Sequence, residues 1–111
     1  MGALRVLIVA ARDLTPQLGD TVLWRSDIER VFSPSPEAAL ETLPTLGARL
    51  VVMDTENANG ALRFVEDLRR DPLTRGVSIA VLGRALTLMD EDALRVAGAN
   101  LVLSGRVEPG V

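Results

Sequence analysis

Four short, near-continuous apolar runs rich in Val, Leu and Ile recur along this chain, at residues 4–10, 49–54, 77–82 and 100–104. Runs of this length without polar alternation mark strands buried on both faces, as in a parallel sheet. A weaker candidate at residues 28–32 alternates instead, the pattern of a half-exposed edge strand. Helical patterns separate these runs. Strict alternation of strand and helix requires right-handed crossovers, so the sequence predicts an α/β fold with a doubly wound, five-stranded parallel sheet.

The helical stretches carry recognisable start and stop signals. Thr15-Pro16 places an N-cap before a proline at the first helical position and opens a helix to about Trp24, with Gly19 as a weak point. Ser35-Pro36 repeats the device; Ala38, Ala39, Leu40 and Leu43 form an inner face, and Pro44 is expected to stop the helix. Asn57 or Asn59 caps a third helix, whose Ala61, Phe64, Val65 and Leu68 follow helical spacing up to Asp71-Pro72. Asp90 is the expected cap of a fourth, with Ala93, Leu94, Val96 and Ala97 facing inward and Gly98 as terminator. Residues 1–104 therefore form one domain, and residues 105–111, with Pro109 and Gly110, read as a tail or the start of a linker. That tail is too short and broken for a fifth helix, and it stays open whether the natural polypeptide continues beyond it.

Composition narrows function mainly by what is missing. The chain has no Cys, His, Lys or Tyr, which excludes thiol and amine nucleophiles, imidazole acid–base chemistry and every thiolate or imidazole metal site. Any chemistry falls to carboxylates, hydroxyls, Arg or backbone. The net charge is −3 and the 12 arginines form no basic run, so neither nucleic acid nor an anionic membrane surface is an expected partner. Arg12 and Asp13 interrupt the N-terminal apolar run well short of the roughly 20 residues that span a bilayer. No signal-peptide layout is present, and the expected location is the cytoplasm.

Taken in order, V-L-I-V-A-A-R-D, R-L-V-V-M-D, S-I-A-V-L-G-R-A and R-V-A-G-A-N-L-V-L-S-G-R resemble the first, third, fourth and last strands of bacterial response-regulator receiver domains with their flanks. The resemblance covers nearly the whole chain. Its most specific pieces are Asp54 at the end of the third strand and Ala97-Gly98-Ala99-Asn100 leading into the fifth. It implies the flavodoxin-like strand order 2-1-3-4-5, with the site at the carboxyl ends of the strands.

The resemblance also implies a degenerate site. Asp54 falls at the phosphoacceptor position, but the acids that would hold a divalent cation align with Ala10 and Ala11, whose methyl groups offer no oxygen to Mg²⁺. The hydroxyl switch position aligns with Gly83, the aromatic switch position with Val102, the phosphoryl-pairing lysine with Gly105 and the proline after it with Arg106. Asp13 and Glu56 are the nearest substitute oxygens. Arg106 or Arg84 is a candidate replacement cation, although a solvated surface residue is the plainer reading of each. No cofactor is expected.

The leading expectation is a pseudo-receiver, a non-catalytic module of two-component or phosphorelay signalling that binds another signalling protein, a fused output domain or a second copy of itself. The resemblance places its contact surface around Glu91, Asp92, Arg95 and Leu101. Trp24 is a further candidate, since Trp is enriched in binding hot spots. Without a fifth helix, part of the apolar sheet face over the later strands is expected to lie open. Two alternatives stay in play: a working receiver phosphorylated at Asp54, and a small-ligand binder of another flavodoxin-like class. Against the latter, A-A-R-D-L-T-P follows the first strand where a Gly-rich phosphate loop would stand.

Overall fold

The computed structural model describes residues 4–10, 28–84 and 86–104. Among these, the chain runs β1 (Leu4–Val9), β2 (Ile28–Ser33), α1 (Pro36–Leu46), β3 (Leu50–Thr55), α2 (Ala58–Arg70), β4 (Ser78–Gly83), α3 (Leu88–Ala97) and β5 (Leu101–Ser104). All five strands pair in parallel, in the order β2-β1-β3-β4-β5. The alternating strand, β2, lies at an edge, as its pattern predicts. The expected helix at residues 15–24, the tail at 105–111, and the candidates Ala11, Asp13, Trp24, Gly105 and Arg106 lie outside the described residues.

Parallel register decides which side chains share a face. Leu7, Val9, Val51, Met53, Ile79, Val81 and Val102 point to one side, where they meet Ala39 and Leu43 of α1, Phe64, Val65 and Leu68 of α2, and Leu94 of α3. Each fully buried side chain here, such as Phe64 or Leu68, contributes roughly 1.5–3 kcal/mol relative to exposure. Val6, Ile8, Ile28 and Val52 make a smaller core on the other side. On that second side the pairs Ala80–Leu101 and Leu82–Leu103 carry the sheet outward, and Leu101 and Leu103 are 49% and 50% exposed.

Three local readings need correction. Pro44 does not stop α1, which runs on to Leu46 and ends at Gly47 in the left-handed conformation, φ 73°. Leu43 in the core and Leu46 packed against it flank the proline, and their burial outweighs one lost backbone bond. Arg5 also donates to the Leu46 carbonyl at 2.8 Å, occupying one of the acceptors that a helix end leaves open.

Asp90 is not the cap of α3. Thr87 is: its hydroxyl accepts from the Asp90 N–H at 3.1 Å, and the Asp90 carboxylate accepts from the Thr87 N–H at 2.9 Å. This reciprocal box satisfies two donors where a lone Asp90 cap would satisfy one. Starting the helix at Leu88 changes which face is inward. Only Leu94 is fully buried; Ala93 is exposed and Val96 is 88% exposed, so both face outward, against expectation. Asn57 caps α2, accepting from the N–H groups of Asn59 and Gly60 at 3.0 and 3.2 Å.

Candidate functional site

β3 is the central strand, so its last residues open into the crevice at the carboxyl ends of the sheet. Asp54 stands there with a side chain only 3% exposed. A carboxylate so withdrawn from water needs a compensating charge or donors. Arg84, the first residue after β4, supplies one: its Nη2 lies 3.4 Å from Asp54 Oδ2, while its Nη1 lies 2.7 Å from Glu56 Oε1. The Glu56 contact is a short charge-assisted hydrogen bond, whereas the Asp54 contact is long and mainly coulombic. Arg84 is thus no free surface cation; it bridges two acids 30 and 28 residues upstream.

The backbone on both sides is well held. Arg84 donates its N–H to the Thr55 carbonyl at 3.2 Å. The Thr55 hydroxyl donates to the Asn57 carbonyl and accepts the Asn57 N–H, both at 2.9 Å, which folds the chain from β3 into α2. The opening above Asp54 is a shallow depression of about 320 Å³ lined by Ala10, Pro34, Asp54, Glu56, Asn57 and Arg84. Ala10 lines its edge, its side chain packed against the smaller core and its N–H committed to the Ser33 carbonyl at 3.0 Å. Among the described residues, no three Asp, Glu, His or Cys side chains gather as a metal-binding group.

The remaining predicted positions are explained by packing. Gly83 pairs with Thr55 in the ladder, and the side chain of Leu86 folds back over it, filling the space a Cβ would take. Leu86 is itself buried in the main core. Val102 is buried in the same core opposite Val81. Of the expected contact residues, Asp92 and Arg95 form an exposed pair at 3.7 Å on α3, and Glu91 is half-buried. Leu101 does not join them on one face: it points to the side of the sheet opposite the one that receives Leu94.

Sequence reasoning overlooked two features that carried a local signal. Thr87 with Asp90 three residues later is a capping-box pattern. A glycine followed closely by a large apolar residue, as in Gly83 and Leu86, fits a close approach. Arg84 is one of the two candidate replacement cations, and the structure brings it to Asp54 and Glu56; its pairing with those two acids carries no local signal, since they are distant in sequence.

No protein-family model matches the sequence, and no curated protein matches it. Solved structures do. The chain is similar to a response-regulator protein of Chloroflexus aurantiacus, with 24% identity over 96% of this chain and 88% of that one, at TM-score 0.77. It is similar to the chemotaxis protein CheY4 of Vibrio cholerae, with 16% identity over 97% and 91%, at TM-score 0.76. The Mn²⁺-bound form of response regulator Rcp1 matches at 18% identity over 95% and 83%, at TM-score 0.75. The class defined by strand order and site position is flavodoxin-like α/β. Within it, the chain has the fold of response-regulator receiver domains.

Proposed function

We propose that this chain is a non-catalytic signalling module, a pseudo-receiver that acts by protein–protein contact and has no phosphoryl-transfer cycle of its own. The observation that carries this reading is the Arg84 bridge over Asp54 and Glu56, with Ala10, which has no side-chain oxygen, lining the same depression. Mg²⁺ needs several oxygen ligands in near-octahedral array. Here both carboxylates already face a guanidinium, which contacts one oxygen of each and whose positive charge opposes a second cation, so the residues present are a poor fit for the ion. Phosphoryl transfer depends on that ion's charge stabilisation. The Gly83–Leu86 contact and the buried Val102 support the same reading, because neither position holds a hydroxyl or an aromatic ring.

The exposed apolar residues support a binding role. Leu88, Met89 and Val96 on α3, and Leu101 and Leu103 on β5, are large and solvent-facing. Exposed apolar surface of this kind is commonly covered by a partner: another signalling protein, a fused output domain, or a second copy of the chain. We place the module in the cytoplasm; no described helix is long and apolar enough to cross a membrane.

Treatment with acetyl phosphate or beryllofluoride and Mg²⁺, read by intact-mass spectrometry and calorimetry, tests the reading. The expected outcome is no adduct and no Mg²⁺ heat. A Mg²⁺-dependent addition that disappears in Asp54→Asn would establish a live phosphoacceptor and overturn it.

A further inference from the structure

We propose that Asn59 is a site of spontaneous covalent modification: the backbone nitrogen of Gly60 attacks Asn59 Cγ, at a rate governed by opening of the Asn57 cap on the first turn of α2. In the first step a bond forms between that nitrogen and Cγ while the Cγ–Nδ2 bond breaks, and the side-chain nitrogen leaves as ammonia with the proton that Gly60 gives up. Water then adds to one of the two carbonyls of the succinimide ring and the ring C–N bond opens. Either aspartate or isoaspartate is left at position 59. No oxidant, enzyme or metal enters the balance.

The three asparagines of the chain are held differently. Asn100 Oδ1 accepts from the Ile79 N–H at 2.8 Å and from Arg69 at 2.9 Å, and a leucine follows it. Asn57 Oδ1 accepts two N–H groups as the cap, and an alanine follows it. Asn59 is exposed, its side-chain amide makes no hydrogen bond among the described residues, and glycine follows it. Without a Cβ, Gly60 leaves its nitrogen open to the preceding side chain. Nothing in the fold demands glycine there: its backbone is not left-handed, and a Cβ would meet only the Asn57 side chain, at 3.7 Å or more.

The same turn sets the rate. In the helix the Gly60 N–H points toward the cap and away from Asn59 Cγ, so attack requires the turn to open. That N–H is too early in α2 to find a helical carbonyl, and its bond, at 3.2 Å, is to the Asn57 side chain. Glycine within the turn weakens it further. Asn59, Gly60 and Arg63 line the open cleft of about 470 Å³ between α1 and α2, where water reaches the ring once it has formed. An aspartate at position 59 stands at the positive end of the helix and four residues before Arg63, which is exposed and has no ion pair among the described residues. The cleft thereby gains a negative charge with elapsed time.

The test is incubation of the intact chain in mildly alkaline buffer, with aliquots digested and mapped by mass spectrometry and the two products separated by chromatography. Conversion is expected at Asn59, with Asn57 and Asn100 in the same sample unchanged. Gly60→Ala is expected to leave Asn59 intact over the same period. Asn57→Ala is expected to speed conversion about fivefold, the factor that corresponds to a cap worth about 1 kcal/mol, and Asn57→Ser to restore the parent rate, because serine caps about as well. An Asn59 as inert as Asn100, a Gly60→Ala variant that converts as fast as the parent, or an Asn57→Ala variant no faster than the parent would overturn the proposal. If Asn57→Ala does not fold, the parent in urea supplies the uncapped rate, and conversion no faster there than in the native chain overturns the proposal equally.

Discussion

Two arginines sit at opposite ends of the sheet and are used in opposite ways. At the amino ends of the strands, Arg69 from the last turn of α2 donates to the carbonyls of Gly98 at 3.1 and 2.7 Å, Arg75 at 2.7 Å and Val77 at 2.5 Å, and to Asn100 Oδ1 at 2.9 Å. Every one of these acceptors is neutral. At the carboxyl ends, Arg84 faces two formal anions. The lower arginine spends its fork on shape, tying α2, the following loop and the entry to β5 into one piece. The upper one spends it on charge. The contrast teaches that a carboxylate withdrawn from water demands a counter-charge, whereas a structural joint demands only directed dipoles.

The largest expected effect lies at the lower end. Arg69→Ala leaves carbonyls beside the core without donors, and a loss of about 3 kcal/mol in urea-measured stability is expected from several hydrogen bonds of a charged donor. Because the partners are dipoles, this loss should persist at 0.5 M NaCl, whereas the penalty of Arg84→Gln, a contact between formal charges, should shrink. Equal salt sensitivity at the two ends would erase the distinction between them.

A smaller effect is expected at Gly83. Replacing it with Ser drives a side chain into Leu86, costing roughly 1–3 kcal/mol as overpacking does. In a Leu86→Ala background the same substitution should cost nothing further, and a persistent cost would show that Leu86 is not the obstacle. The smallest is at the start of α3: Thr87→Ala removes one half of the capping box and should cost about 1 kcal/mol by chemical denaturation. A loss nearer 3 kcal/mol would mean that the cap also supports the Arg84 loop.

Most of the scaffold could be read from the sequence because its signals are local. The apolar runs at β1, β3 and β4, the alternation in β2, and Ser35-Pro36 each speak within a few residues. The strand order came from the resemblance. What went astray did so through competition between neighbouring signals. Asp90 looks like a cap until Thr87 is weighed beside it, and a helix start three residues earlier turns Val96 out to solvent. Pro44 looks like a stop until the burial of Leu43 and Leu46 is set against it. The absence of side-chain oxygens at Ala10 was plain in the sequence. Arg84 was readable only as one candidate cation of two, because an ion pair between ends of adjacent strands follows from tertiary register, which periodicity within one strand does not encode.

The Arg69 joint also governs where the gene can lengthen. A planar fork that must reach carbonyls at positions 75, 77 and 98 together works as a gauge, set for one spacing between the loop after α2 and the entry to β5. An extra residue in either segment breaks the gauge. Peptide tags, fluorescent reporters and crosslinking handles are therefore better grafted into other exposed loops.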